Sequence, residues 1–183
     1  LMDQMASSVG GMVTIDFKEQ DAEVEAIACD FAAKGYALCV VNTGGDHGDL
    51  TDDYAAIRKE MEAVAAHFGK HVLREVELEM VESHIGELRR ACGDRAVLRA
   101  LHYYDENARV LEQAAAIRGG DLPAFFDAVK RSGDSSWKLL QNVYARSTEE
   151  QMAMGIELSR RFLHGDGAQR VHGGGFAGTI QAY

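Results

Sequence analysis

Apolar and polar positions follow two different periods along this chain. Up to about residue 45 the apolar residues come in short runs. Met12–Phe17 (MVTIDF) and Tyr36–Val41 (YALCVV) are β-branched or apolar and bounded by glycine and aspartate, so each predicts a strand. The second run is apolar on both faces, which predicts a central, buried strand. Val24–Cys29 is a weaker strand candidate.

From Thr51 the period becomes helical. Tyr54, Ile57, Met61, Val64 and Phe68 recur at three or four residues, with Asp52 and Asp53 in the first turn. Met80–Cys92 predicts a second helix. Val97, Leu101, Tyr104, Ala108, Leu111 and Ala115 form a long stripe closed by Gly119 and Gly120. Asp121 then caps a helix that buries Leu122, Phe125, Phe126 and Val129, with Pro123 in its first turn, where a missing N–H is harmless. Ser147 and Glu150 have the spacing of a capping box for a helix through Met152, Ile156 and Leu163. Gln169–His172, a glycine run and Thr179–Tyr183 predict strand, turn, strand. Helices grouped between flanking strands predict an α+β fold.

Length allows one large domain, or one domain and part of another, and a chain of 183 residues can bury about 70% of its unfolded surface. The net charge of −10 argues against a nucleic-acid partner, since a polyanion must be met by clustered Lys and Arg. It leaves a small phosphorylated ligand open. The three cysteines, Cys29, Cys39 and Cys92, form no CxxC pair, so reduced thiols in a cytoplasmic protein are expected. The longest apolar run, Tyr36–Val41, is far shorter than the ~20 residues of a membrane span, and no signal segment opens the chain. The chain starts on Leu1 and stops within a strand-like run, so both ends are expected to be cut.

Four segments are candidates for chemistry. HGGGFAGT (His172–Thr179) contains three adjacent glycines. They permit either an anion-binding nest of main-chain N–H groups or a tight hairpin, and their spacing favours neither. It is not a P-loop, because no GK[ST] follows. Asp3, in LMDQMASSVGG, stands among small and apolar residues and is either a base or an ordinary helix-start aspartate, the second being the commoner case. VVNTGGDHGDLTDDY (Val40–Tyr54) places His47 near Asp46 and Asp49; too few ligands gather for a metal site, and a polar turn leading to a helix cap is the better reading. HYYDENARV (His102–Val110) reads as the core edge and solvated face of the long helix.

In order and spacing, these pieces together resemble the galactokinases of the GHMP superfamily. MDQMASSVGG resembles the segment whose Met-Asp-Gln holds the catalytic aspartate. VNTGGDHGDLTDDY resembles the V-N-[ST] stretch, with Asn42, His47 and Tyr54 in the matching places. His102, Glu106, Asn107, Arg109 and Val110 match H-x-x-x-E-N-x-R-V. Ser135–Tyr144 is a looser match to a Ser-rich segment, and RVHGGGFAGT resembles the third GHMP motif.

The resemblance implies transfer of the γ-phosphoryl group of MgATP to the anomeric hydroxyl of galactose. Asp3 would orient that hydroxyl or accept its proton, Tyr54 would hydrogen-bond the sugar, and Gly173, Gly174 and Gly175 would shape the cleft near the phosphates. Residues 1–45 would be the end of the N-terminal GHMP lobe and the domain junction. Residues 46–183 would be the ferredoxin-like C-terminal domain, cut short at its end. The GLSSSA-type phosphate loop, the first sugar-binding motif and the arginine partner of the catalytic aspartate would all lie upstream, so ATP and Mg2+ would be held mainly by that missing lobe. Asp46 stands where a basic residue is common, Ala177 replaces a glycine and His172 a threonine. The resemblance also embraces galactose and ATP sensors without catalysis, and kinases for sugars such as N-acetylgalactosamine or arabinose.

Overall fold

A computed structural model describes residues 2–19, 21–45 and 50–183. The chain opens with α1 (Met2–Val9), β1 (Met12–Asp16), β2 (Glu23–Ile27) and β3 (Cys39–Asn42). Seven helices are described in all. After α1 come α2 (Thr51–His67), α3 (Leu78–Ser83), α4 (Ile85–Cys92), α5 (Asp94–Gly119), α6 (Leu122–Ser135) and α7 (Gln151–Leu163). The last strands are β4 (Gln169–Val171) and β5 (Thr179–Ala182). The expected α+β class holds.

Two antiparallel sheets form among the described residues. β1 pairs with β2, Met12 opposite Ile27 and Asp16 opposite Glu23. The second sheet has the order β3-β5-β4, with Cys39 opposite Ala182 and Gln169 also opposite Ala182. The glycine run links β4 to β5, as the strand–turn–strand pattern predicts.

The helical stripes bury as their period requires. Val64 and Ala65 of α2, Leu88 of α4, and Val97 and Ala100 of α5 enclose one core. α6 presses Phe125 and Phe126 against Ile117 and Ile27, and the rings of Phe31, Tyr36 and Tyr183 stack around them. α7 lays Met152 and Ile156 on Val171 and Ile180 of the second sheet. α5 ends at Gly120 with φ of 72°, and the Asp121 carboxylate accepts the Ala124 N–H at 3.0 Å, so both predicted stop and start signals operate.

Three expectations need correction. The Tyr36–Val41 run is not a central strand. Only Cys39–Asn42 pairs, on one side, at the edge of its sheet. Among the described residues no strand lies along its other side, so Leu38, Val40 and Val41 stay 52%, 53% and 43% exposed. Met80–Cys92 is two helices, broken at His84. There the Ser83 hydroxyl donates to the Glu79 carbonyl at 2.7 Å and the His84 ring reaches the Met80 carbonyl at 2.8 Å, drawing carbonyls out of the helical ladder. The Ser147–Glu150 capping box does not form. Residues 146–149 close a separate turn, Glu149 N–H to Arg146 C=O at 3.1 Å, and α7 starts beyond it with no side-chain cap.

Cys29, Cys39 and Cys92 are all free thiols. Among the described residues no helix is long and apolar enough to cross a membrane.

Candidate functional site: the glycine turn and Tyr54

The first turn of α2 aims Tyr54 at the β4–β5 turn. Its hydroxyl donates to the Gly175 carbonyl at 2.7 Å, and its ring meets Phe176 edge-on, centroids 5.2 Å apart. Burial raises the Tyr54 phenol above its ordinary range, which keeps it a proton donor at neutral pH. A Cβ on Gly174 would come within 2.8 Å of the Tyr54 ring, so glycine is required by close approach. Gly173 and Gly174 are exposed, and Gly175 is buried. Among the described residues the N–H groups of these three have no acceptor. The main-chain donors of the exposed Gly173 and Gly174 are therefore open on the rim of the turn, the arrangement an anion needs. The nest and hairpin readings of the sequence are compatible here: the segment is a hairpin turn with unused donors.

The underside of the turn rests on Asn142, which is 2% exposed. Its Nδ2 donates to the Gly174 carbonyl at 3.1 Å, and its main-chain carbonyl accepts the Phe176 N–H. A Cβ on Gly175 would lie 2.1 Å from that carbonyl, and Gly175 has φ of 83°. Phe176 itself takes φ of 61°, a left-handed conformation rare for a bulky residue. The Asn142 Oδ1 is buried with no donor among the described residues, a cost of about 1–3 kcal/mol. Just past β3, Thr43 clamps the far end of the turn, its N–H and its hydroxyl both donating to the Gly178 carbonyl at 2.8 Å. Asn142 and Thr43 lie in segments matched in the sequence, but neither was given a role there. Each makes its bonds to a distant main chain, and no local pattern signals that.

Beside the turn lies a cavity of about 380 Å³ lined by Asp53, Arg95, Arg99, Gln141, Tyr144 and Phe176. Arg99 is 2% exposed. It donates to Glu60 of α2 at 2.8 Å and to the Leu140 carbonyl at 3.0 Å, tying the helix that carries Tyr54 to the segment that carries Asn142. Residues 136–140 form a π-helical turn, and Gln141 leaves it at φ of 58°. Such turns recur at functional sites because they re-aim the chain.

Asp3 sits exposed in the first turn of α1, which packs on β1. Among the described residues no hydrogen bond or ion pair joins Asp3 to Tyr54, to the glycine turn or to any cation. The structure thus brings together Tyr54, Gly174 and Gly175; Asp3 makes no hydrogen bond or ion pair to them among the described residues. His47, Asp46 and Asp49 lie outside the described residues, and among the described residues no three His, Cys, Asp or Glu side chains gather to hold a metal.

The HYYDENARV segment is more buried than its pattern suggests. His102 and Arg109 are 6% and 7% exposed, because α6 packs on that side of α5 and the Arg170 side chain of β4 reaches over to Glu106. Glu106 accepts from Arg109, from the Ser132 hydroxyl and from Arg170 of β4 at 3.3 Å, and Arg170 also donates to Ser132 at 2.6 Å. Burial opposes ionisation of Glu106, yet the Ser132 bond and the two guanidiniums hold its carboxyl below the ordinary range. His102 bonds Ser135 at 2.8 Å, and burial pushes its imidazole down. This network joins α5, α6 and β4, and so fixes the strand that leads into the glycine turn.

No protein-family model matches the chain. It is 29% identical over 184 aligned residues to the galactokinase of Mannheimia succiniciproducens, covering 99% of this chain and 45% of that protein. The galactokinase of Haemophilus influenzae matches at the same identity and coverage, and that of Actinobacillus pleuropneumoniae at 29% over 98% of this chain and 44% of its own length. Among solved structures, Lactococcus lactis galactokinase complexed with galactose superimposes with a TM-score of 0.70 at 17% identity, over 93% of this chain and 42% of that one. The last likeness concerns the fold alone. The chain spans about half the length of the relatives it matches, and across nearly all of its own length it is similar in sequence to galactokinases, consistent with a C-terminal portion of one.

Proposed function

We propose that this chain is part of a galactokinase-like sugar kinase that moves the γ-phosphoryl group of ATP onto the anomeric hydroxyl of galactose, in the cytoplasm. The observation that carries the proposal is the contact between Tyr54 and the glycine turn. The resemblance assigns sugar binding to Tyr54 and the phosphate side of the cleft to Gly173–Gly175, and these meet across 121 residues of sequence. Phosphoryl transfer asks the protein mainly for positioning and charge neutralisation. In this reading Tyr54 holds the sugar, Gly173, Gly174 and Gly175 shape the cleft with the open N–H groups of Gly173 and Gly174 facing phosphate oxygens, and Asp3 orients the acceptor hydroxyl or takes its proton.

The described residues offer no acidic cluster for Mg2+. Its holding, and most of the grip on ATP, is assigned to an N-terminal lobe. Residues 1–45 are proposed as the end of that lobe with the domain junction, and residues 46–183 as the GHMP C-terminal domain. Exposed apolar residues support a chain that normally packs against more protein: Leu38, Val40 and Val41 near the β3 edge, and Met154, Leu158 and Phe162 along one face of α7. The 183-residue chain alone is therefore expected to be inactive.

Phosphorus NMR of galactose and MgATP incubated with the product of the complete reading frame that encodes this chain tests the proposal. A new sugar phosphate ester at the anomeric position is expected. Binding of galactose with no ester formed would replace the kinase by a sensor. An ester formed only with N-acetylgalactosamine or arabinose would keep the reaction and change the sugar.

A further inference from the structure

We infer that Asn142 is the positioning residue of the glycine turn: it sets the direction in which the open N–H groups of Gly173 and Gly174 face. This rests on the reading of that turn as the phosphate side of a kinase cleft. Three features converge on Asn142. Its side chain holds the Gly174 carbonyl, its main chain holds the Phe176 N–H, and its amide and carbonyl fill the space that any Cβ on Gly175 would take. The turn can therefore neither slide along Asn142 nor rotate over it.

The orientation of the amide is fixed. A flip would set Oδ1 against the Gly174 carbonyl, two acceptors with no proton between them. The consequence is an Oδ1 that faces protein with no donor among the described residues. A buried acceptor of this kind costs stability, and the amide is held this way round by the work of its other end on the Gly174 carbonyl. The surroundings hold Asn142 in turn. Gln141 enters it from a left-handed conformation, Phe176 leaves the turn in another, and buried Arg99 pins the preceding Leu140 carbonyl to Glu60. Asn142 touches none of the reacting atoms; it acts through the turn.

The test compares wild type, Asn142→Asp and Asn142→Ala in the product of the complete reading frame. It measures amide hydrogen exchange over residues 173–178, normalised at each pH to the intrinsic rate of an unstructured amide, and the KM for MgATP, each from pH 8 to pH 6, beside the urea midpoint. A carboxylate facing the Gly174 carbonyl repels it, whereas the protonated acid can donate to it, and burial raises the pH at which the proton binds. Expected for Asn142→Asp at pH 8 is about tenfold faster exchange at Phe176 and about tenfold higher KM for MgATP, both recovering towards pH 6. Asn142→Ala should show the same losses with no recovery. A merely structural role would make losses follow the urea midpoint in both variants, with no recovery peculiar to the aspartate, and that result overturns the inference, as does unchanged exchange. If wild type shows no galactose-dependent turnover, the kinase reading fails and the exchange profile alone decides the role of Asn142.

Discussion

The hydroxyl of Tyr54 donates to the carbonyl of Gly175 at 2.7 Å, joining the first turn of α2 to the β4–β5 turn across almost the whole helical part of the chain. One bond thus couples the residue proposed to read the sugar to the glycines proposed to face the phosphates. Tyr54→Phe keeps the edge-on ring contact with Phe176 and removes only the hydroxyl. It should cost about 1 kcal/mol in urea unfolding, the net worth of one hydrogen bond. It should also raise the KM for galactose about tenfold, one discriminating hydrogen bond's effect on binding.

The three glycines are not equivalent. Gly173 has φ of 68° but open space around its missing Cβ, so Gly173→Ala should cost only the left-handed penalty, about 1–2 kcal/mol. Gly175→Ala adds a collision with the Asn142 carbonyl, 2.1 Å away, to the same penalty, and should cost distinctly more. Urea midpoints of the two variants check the order. Equal midpoints would mean that the turn does not rest on Asn142.

Arg170 is the strand's contribution to the network around Glu106. Arg170→Met leaves a half-buried carboxylate with one cation fewer and should destabilise the fold by about 3 kcal/mol. The loss should be larger than for Arg160→Met, whose exposed pair with Glu157 on α7 is worth little.

The pH dependence of stability should carry the mark of His102. Its imidazole faces Ser135, Glu106, Asp105, Arg109 and Arg170, and burial outweighs the two carboxylates to hold its folded pKa below the ordinary value of about 6.5. The unfolded chain then binds the proton more readily. Stability from this group is present above that ordinary value and is lost as pH falls through the folded value. Urea midpoints between pH 7.5 and pH 5 should decline, and His102→Gln should flatten the decline. An unchanged slope in the variant would remove His102 as its source.

Much of the helical half was legible because its signals are local. The Tyr54–Phe68 stripe, the Gly120 stop and the Asp121 cap each act within a few residues. The Tyr36–Val41 run misled because apolar composition says that a strand is covered without saying by what; here β5 pairs one side only. HYYDENARV misled because Glu106 and Arg109 are satisfied by partners on α6 and β4 that no helical period announces. Tyr54 and the glycine turn were legible through resemblance and through glycine chemistry. Asn142 was not, since an asparagine looks the same in sequence whether it holds water or a distant carbonyl.

The most direct test of the account is galactose-dependent ADP release from MgATP by the product of the complete reading frame, with Asp3→Asn beside it. The account predicts ADP release that requires galactose and collapses in the variant, because the carboxylate that orients the acceptor hydroxyl is gone. Release that ignores galactose, or that survives Asp3→Asn undiminished, would contradict it.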